Sequence, residues 1–245
     1  MEDQPPGLSI HQSVATITLR RPSQHNRIAP DDCTVISKQL SQIAGDPDIR
    51  LVVITGTGTK TFSSGYTLGA IQDQLDSRFE DMLDGLEQFP LPTICALNGS
   101  VYGGGTDLAL CCDFRLGVRG SKMLMPASKI GLHYYPGGIR RYVGVLGLST
   151  AKKLFMTAQA IDDIEMLRVG FLTELVDPSG LDAAVRTYIE CILACEPKVL
   201  ATIKADVMST AYGCADQDVL RAHYTASLAS PELRARLAVI NDKKR

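Results

Sequence analysis

The chain contains no tryptophan, and aromatic residues make up only 6% of it. Its seven cysteines include no C-x-x-C pair, which removes the usual spacing of a zinc site or a redox dithiol. No apolar run approaches the about 18 residues from which a membrane-spanning helix is read, so no membrane partner is expected. Positive charge is not in excess either: 25 Lys and Arg stand against 27 Asp and Glu, a net charge of −2. A nucleic-acid backbone therefore finds no basic footprint, and no nucleic-acid partner is expected. A Walker A motif and a G-x-G-x-x-G fingerprint are both missing, which argues against nucleotide phosphate cradling. The opening Met1-Glu2-Asp3-Gln4-Pro5-Pro6 is acidic and polar, unlike a secretory leader. The expectation is a soluble, cytoplasmic chain whose cysteines are buried free thiols.

What is present is an ordinary globular composition: 245 residues, 45% apolar and 21% charged, with 21 Gly and 12 Pro. That length allows one large domain or two small ones. Val14 to Leu19 reads as a strand, closed by Arg21-Pro22-Ser23. Cys33, Ile36, Leu40 and Ile43 recur at helical spacing after a start near Pro30-Asp31. Leu51 to Thr55 is a continuous apolar run, the mark of a strand covered on both faces. A loop of Gly, Thr and Ser is expected from there to Gly65. Phe79, Met82, Leu83, Leu86 and Phe89 return to helical spacing, Thr93 to Leu97 is a second buried strand, and Asp107 to Cys112 reads as a buried helix. Alternating strands and helices predict an α/β core. From about Ser149 the strands almost vanish. Asp162 with Glu165 forms a capping-box-like start, Leu181 to Cys195 reads as a helix, and Pro197 and Pro231 sit at the first turns of two more. The expected organisation is an α/β core over residues 1–190 and a helical C-terminal region over residues 191–245.

Two glycine-containing loops, Thr61 to Leu68 and Asn98 to Asp107, lead from strands toward helices. Glycine at a helix start lets a ligand approach N–H groups that have no intrahelical partner, a setting suited to an anion or a developing oxyanion. Such a loop serves equally as a tight turn.

Taken together, the loops resemble those of the crotonase, or enoyl-CoA hydratase/isomerase, family. Phe62-Ser63-Ser64-Gly65-Tyr66-Thr67-Leu68 is similar to its F-x-A-G-x-D-L segment. Pro92 through Asp113 is similar to P-x-I-A-x-x-N-G-x-x-x-G-G-G-x-E-L-x-x-x-C-D. Pro126 through Gly138, Leu154 through Val176, and Arg21-Pro22 with Asn26 resemble three further segments, in order and spacing. The resemblance implies a spiral of ββα units, C-terminal helices packed around a trimer interface, and assembly as a homotrimer or a dimer of trimers. It implies an acyl-CoA thioester substrate, with coenzyme A part of the substrate and no permanently bound cofactor or metal. The backbone N–H groups of Tyr66 and Gly104 would receive the thioester oxygen, and Ser64, Leu68, Arg21 and Arg27 would meet the coenzyme. Lys243 and Lys244 resemble a basic tail that meets its phosphates.

The departures bear on the reaction. Hydratases of the family carry two glutamates, one after the triple glycine and one after a later proline. Here the first position holds Asp107, shorter by one methylene, and the second holds Ala127, which carries no proton. Displacement of a reacting group by about 1 Å can cost on the order of 100-fold in rate, so ordinary two-carboxylate hydration is not expected. Asp107 is instead a proton-handling or positioning carboxylate. His133-Tyr134-Tyr135-Pro136 replaces a short apolar turn, and Pro126-Ala127-Ser128 with Tyr134 is similar to the methylmalonyl-CoA decarboxylase branch. That likeness gives Tyr134 a polar contact to the acyl group. Three activities stay open: enolate chemistry of the hydratase/isomerase type, decarboxylation of a CoA or carrier-protein thioester, and thioester binding without turnover.

Overall fold

The computed structural model describes residues 2–242, so Lys243 and Lys244 lie outside the described residues. The chain opens with an antiparallel pair, β1 (Gly7–His11) and β2 (Val14–Leu19). In β2 alternate residues are buried, as a strand with one face on the core requires. The turn that follows is held by Asn26, whose amide donates to the carbonyls of Thr57 and Thr61, each at 2.9 Å. α1 (Pro30–Ala44) begins at a proline, and the Asp32 carboxylate accepts from the Ala29 N–H at 2.9 Å. Cys33, Ile36, Leu40 and Ile43 form its buried stripe, as their spacing predicts.

Three strand pairs then follow one plan. β3 (Leu51–Gly56) leads to β4 (Thr61–Ser63), then the short α2 (Ile71–Gln74) and α3 (Ser77–Glu87). β5 (Thr93–Leu97) leads to β6 (Ser100–Tyr102) and α4 (Gly104–Leu110). β7 (Phe114–Val118) leads to β8 (Lys122–Leu124), a 3₁₀ turn at Ala127–Ile130, and α5 (Pro136–Thr157). β9 (Ile161–Asp162), α6 (Asp163–Arg168) and β10 (Glu174–Val176) complete the sheets, and α7 (Leu181–Ala194) follows. The first strand of each pair enters a six-stranded sheet ordered β1-β2-β3-β5-β7-β10, and the second a four-stranded sheet ordered β4-β6-β8-β9. From β2 across to β10 the large sheet is parallel. Successive ββα units therefore wind as a spiral, and the α/β expectation holds.

The main differences from the sequence reading are β4 and β6, both expected as loop. Three residues are too few to show a period. Thr61 and Ser63 nevertheless pair in parallel with β6, and Phe62 is fully buried. Between the two sheets and their helices runs one continuous apolar cluster that includes Ile17, Ile28, Ile54, Phe62, Leu97 and Val101.

The chain divides into two compact units, at Glu190 and Cys191. Within the second are α8 (Pro197–Ala211), α9 (Gln217–Leu228) and α10 (Pro231–Asp242). Glu196 caps α8 through the Val199 N–H at 2.6 Å, and Asp216 caps α9. His223 Nδ1 lies 3.0 Å from the Asp206 carboxylate. Cys33, Cys95, Cys111 and Cys112 are buried, whereas Cys191, Cys195 and Cys214 are exposed. The expectation of buried thiols is thus corrected for the last three, which lie in this second unit. Among the described residues no helix is long and apolar enough to cross a membrane, and no cluster of His, Cys, Asp and Glu suits a metal ion.

Candidate active site

The two glycine loops meet. Ile28 donates its N–H to the Gly65 carbonyl at 2.8 Å and accepts from the Thr67 N–H at 3.0 Å, so its bonds straddle Tyr66 as one parallel bridge. In such a bridge the straddled residue turns its own N–H to the opposite side. The Gly104 N–H opens α4 and has no intrahelical acceptor. Neither N–H meets an acceptor among the described residues. The two are neighbours: a Cβ placed on Gly65 would lie 2.7 Å from Gly104 N, and one on Gly104 would lie 3.4 Å from Tyr66 N. Gly65 also has φ +84°, which an L side chain rarely adopts. This close approach of backbones is what the glycines at 65 and 104 permit. It leaves two unpaired donors side by side, the arrangement of an oxyanion hole.

They open onto a cavity of about 1080 Å³ whose wall includes Ser64, Tyr66, Leu68, Gly104, Ala127 and Tyr134. Of the residues singled out in the sequence, these line it, while Arg21, Arg27 and Asp107 do not. Arg21 holds Asp32 through two bonds, at 2.9 and 3.0 Å, and Arg27 bonds Gln24 and Thr67.

Asp107 lies behind the wall, with no solvent exposure, in a helix buried from Gly105 to Leu110. Its Oδ1 accepts from Arg141 Nε at 2.9 Å. Its Oδ2 accepts from the Tyr134 hydroxyl at 3.1 Å and from the Tyr135 hydroxyl. Arg141, also unexposed, donates to Asp84 at 2.7 Å, to Glu87 at 2.9 Å and to the Tyr135 oxygen at 3.0 Å. The guanidinium thus joins α3, α4 and α5 in one charged knot. Burial first, and then the Asp107 charge, push the Tyr134 and Tyr135 phenols well above their ordinary range. Both stay protonated and donate to the carboxylate. Both carboxylate oxygens of Asp107 are thus engaged, and Asp107 is not among the residues that line the cavity.

Several of the chain's aromatic rings pack together here. Phe79 meets Tyr66 edge-on at 5.3 Å and Tyr135 at 6.1 Å, and Tyr134 packs on Tyr135 at 4.8 Å and on Phe155 at 5.2 Å. Sequence reasoning missed Arg141 and Glu87 as members of the site. One signal was available: Glu87 follows Leu83 and Leu86 on the buried side of α3, where an unpaired charge is too costly to stand.

Comparison with known proteins places related sequences and a related fold beside this chain. Residues 9–227 match the profile of a family described as Enoyl-CoA hydratase/isomerase. The (E)-benzylidenesuccinyl-CoA hydratase of Thauera aromatica is 30% identical over 211 residues, 83% of this chain and 82% of that protein. The crotonyl-CoA hydratase of Syntrophomonas wolfei is 29% identical over 194 residues, 76% of this chain and 75% of that protein. The crystal structure of an enoyl-CoA hydratase from Bacillus anthracis superposes with a TM-score of 0.90 at 23% identity, covering 98% of this chain and 97% of that one.

The charged knot makes a stability prediction. Replacing Arg141 with methionine leaves Asp107 buried without its cation, which is expected to cost about 3–5 kcal/mol. Arg141→Met combined with Asp107→Asn should regain part of that loss. The midpoint of denaturant unfolding at constant slope reads both, and an Arg141→Met variant as stable as the parent would contradict the pairing.

Proposed function

The chain belongs to the enoyl-CoA hydratase/isomerase family, and on that premise we propose that it acts on an acyl-CoA thioester through an enolate held by the N–H groups of Tyr66 and Gly104. The observation that carries the reading is the pair of unpaired donors on the cavity wall. When a carbanion forms beside a thioester, its charge moves onto the carbonyl oxygen, and two fixed donors stabilise that oxygen more than the neutral carbonyl. Loss of one such donor typically raises the barrier by about 3–4 kcal/mol. Coenzyme A enters as part of the substrate, with Ser64 and Leu68 on its wall.

The reaction we propose is not ordinary two-carboxylate hydration. Ala127 stands on the wall without a proton, and Asp107 is spent on Arg141 and two tyrosines. A second reading, decarboxylation, draws support from the same facts. When a carboxylate leaves as CO₂, the electron pair of the broken C–C bond becomes the enolate directly, so no base is required. Tyr134, on the wall and anchored through Asp107, would then orient the leaving carboxylate.

A thioester panel tests both. The wild type should hydrate crotonyl-CoA slowly, and Ala127→Glu should raise that rate. Release of CO₂ from malonyl- or methylmalonyl-type thioesters, lost in Tyr134→Phe, would move the assignment to decarboxylation. Binding with no turnover of any thioester would leave a scaffold and contradict both. We also propose a homotrimer or a dimer of trimers, on the ground that Val207, Tyr224, Leu228 and Val239 of the C-terminal helices stand exposed in the single chain. Sedimentation of the full chain should give three or six subunit masses; a mass of one subunit, 26.5 kDa, would contradict it.

A further inference from the structure

An enolate is made or discharged by moving one proton at the carbon beside the thioester carbonyl, and a side chain on the cavity wall has to move it. Most titratable groups on this wall are already engaged. The Tyr66 hydroxyl donates to the Gln74 carbonyl at 2.7 Å, and Tyr134 and Tyr135 donate to Asp107. Asp76 is paired with Arg78, Asp84 with Arg141, and Arg140 with Glu87. Glu80 and Asp81 of α3 also face the cavity, but neither is oriented by a hydrogen bond among the described residues.

His133 differs from all of these. It lines the cavity and is exposed. The residue before it, Leu132, donates its N–H to the Ala127 carbonyl at 3.0 Å, and the residue after it, Tyr134, bonds Asp107. His133 therefore hangs between the two positions where the family's carboxylates would stand. Its Nδ1 lies 2.8 Å from the Tyr134 carbonyl oxygen. A carbonyl only accepts, so Nδ1 carries the hydrogen and Nε2 presents its lone pair. An imidazole oriented through one nitrogen and open at the other is the arrangement of a general base.

We propose that His133 Nε2 is the group that takes and returns the proton at the thioester α-carbon, an inference that rests on the enolate reading above. The Nε2 lone pair takes the proton. The C–H electron pair becomes the enolate double bond, and the carbonyl pair moves onto the oxygen held by Tyr66 and Gly104. The imidazolium, steadied through Nδ1–H by the Tyr134 carbonyl, then returns a proton to the same carbon or exchanges it with water. No oxidant, metal or second substrate is needed for the step.

The test follows exchange of the α-protons of butyryl-CoA in D₂O by NMR, with affinity measured by calorimetry on the same full-length proteins. His133→Gln should bind butyryl-CoA within about 3-fold of wild type yet exchange at least about 100-fold more slowly, the usual scale of a general base. Added imidazole should restore part of the rate to His133→Ala, a rescue that a purely structural role would not produce. Wild-type exchange in His133→Gln, or loss of exchange in Glu80→Gln instead, would overturn the assignment while leaving the thioester reading intact. Failure of the wild type to bind butyryl-CoA would count against the thioester reading itself.

Discussion

The buried guanidinium of Arg141 is the constraint on which the site depends. It reaches Asp84 and Glu87 on α3, Asp107 on α4 and the Tyr135 oxygen, all from α5. Glu87 and Asp107 would be costly to bury alone, Asp84 stays half-exposed, and Arg141 would be costly without them. Such a knot contributes little net stability against an apolar core of equal volume, but breaking it is expensive. Its consequence is positional. Asp107 fixes the two tyrosine hydroxyls, the tyrosines fix the loop between the 3₁₀ turn and α5, and that loop carries His133 along the cavity wall. Charge that would serve proton transfer in a two-carboxylate site is here spent on geometry.

The proposed oxyanion hole rests on a different kind of constraint, the contact of two backbones. Gly65 and Gly104 allow the segments around Tyr66 and Gly104 to approach until their N–H groups lie together. Electrostatic donors of this kind are effective because they are fixed before the charge develops. Helix α4 thus serves both halves of the site: its first residue supplies a donor to the cavity, and Asp107, one turn on, anchors the wall from behind. In the proposed reaction this division separates stabilising an enolate, which the backbone would do, from moving its proton, which would fall to His133 of the loop.

Much of the fold was legible in the sequence where a period had room to show. β2 and α1 follow their apolar spacing, β5 its continuous apolar run, and the proline starts of α8 and α10 fall where Pro197 and Pro231 predict. β4 was not legible, because three residues between loops show no alternation and its partner β6 is distant in the chain. The candidate hole was readable through the family resemblance of its loops. The charged knot was not, because its bonds join residues 34, 54 and 57 positions apart and no local pattern links them. For the same reason the partners of Asp107 were hidden: its identity and helix position are visible in sequence, whereas its bonds to Arg141, Tyr134 and Tyr135 are a property of packing.

The central claim is that the N–H groups of Tyr66 and Gly104 polarise a thioester carbonyl. Isotope-edited infrared spectroscopy of butyryl-CoA labelled with ¹³C at the thioester carbonyl measures this without requiring turnover. Two fixed donors weaken the C=O bond, so the labelled stretch should move to lower frequency on binding to the wild type. It should return toward the free position in Gly104→Ala, where a methyl group would lie 2.6 Å from the Phe79 ring and 3.4 Å from Tyr66 N. A bound thioester whose carbonyl stretch stays at the frequency of the free molecule in water would contradict the account.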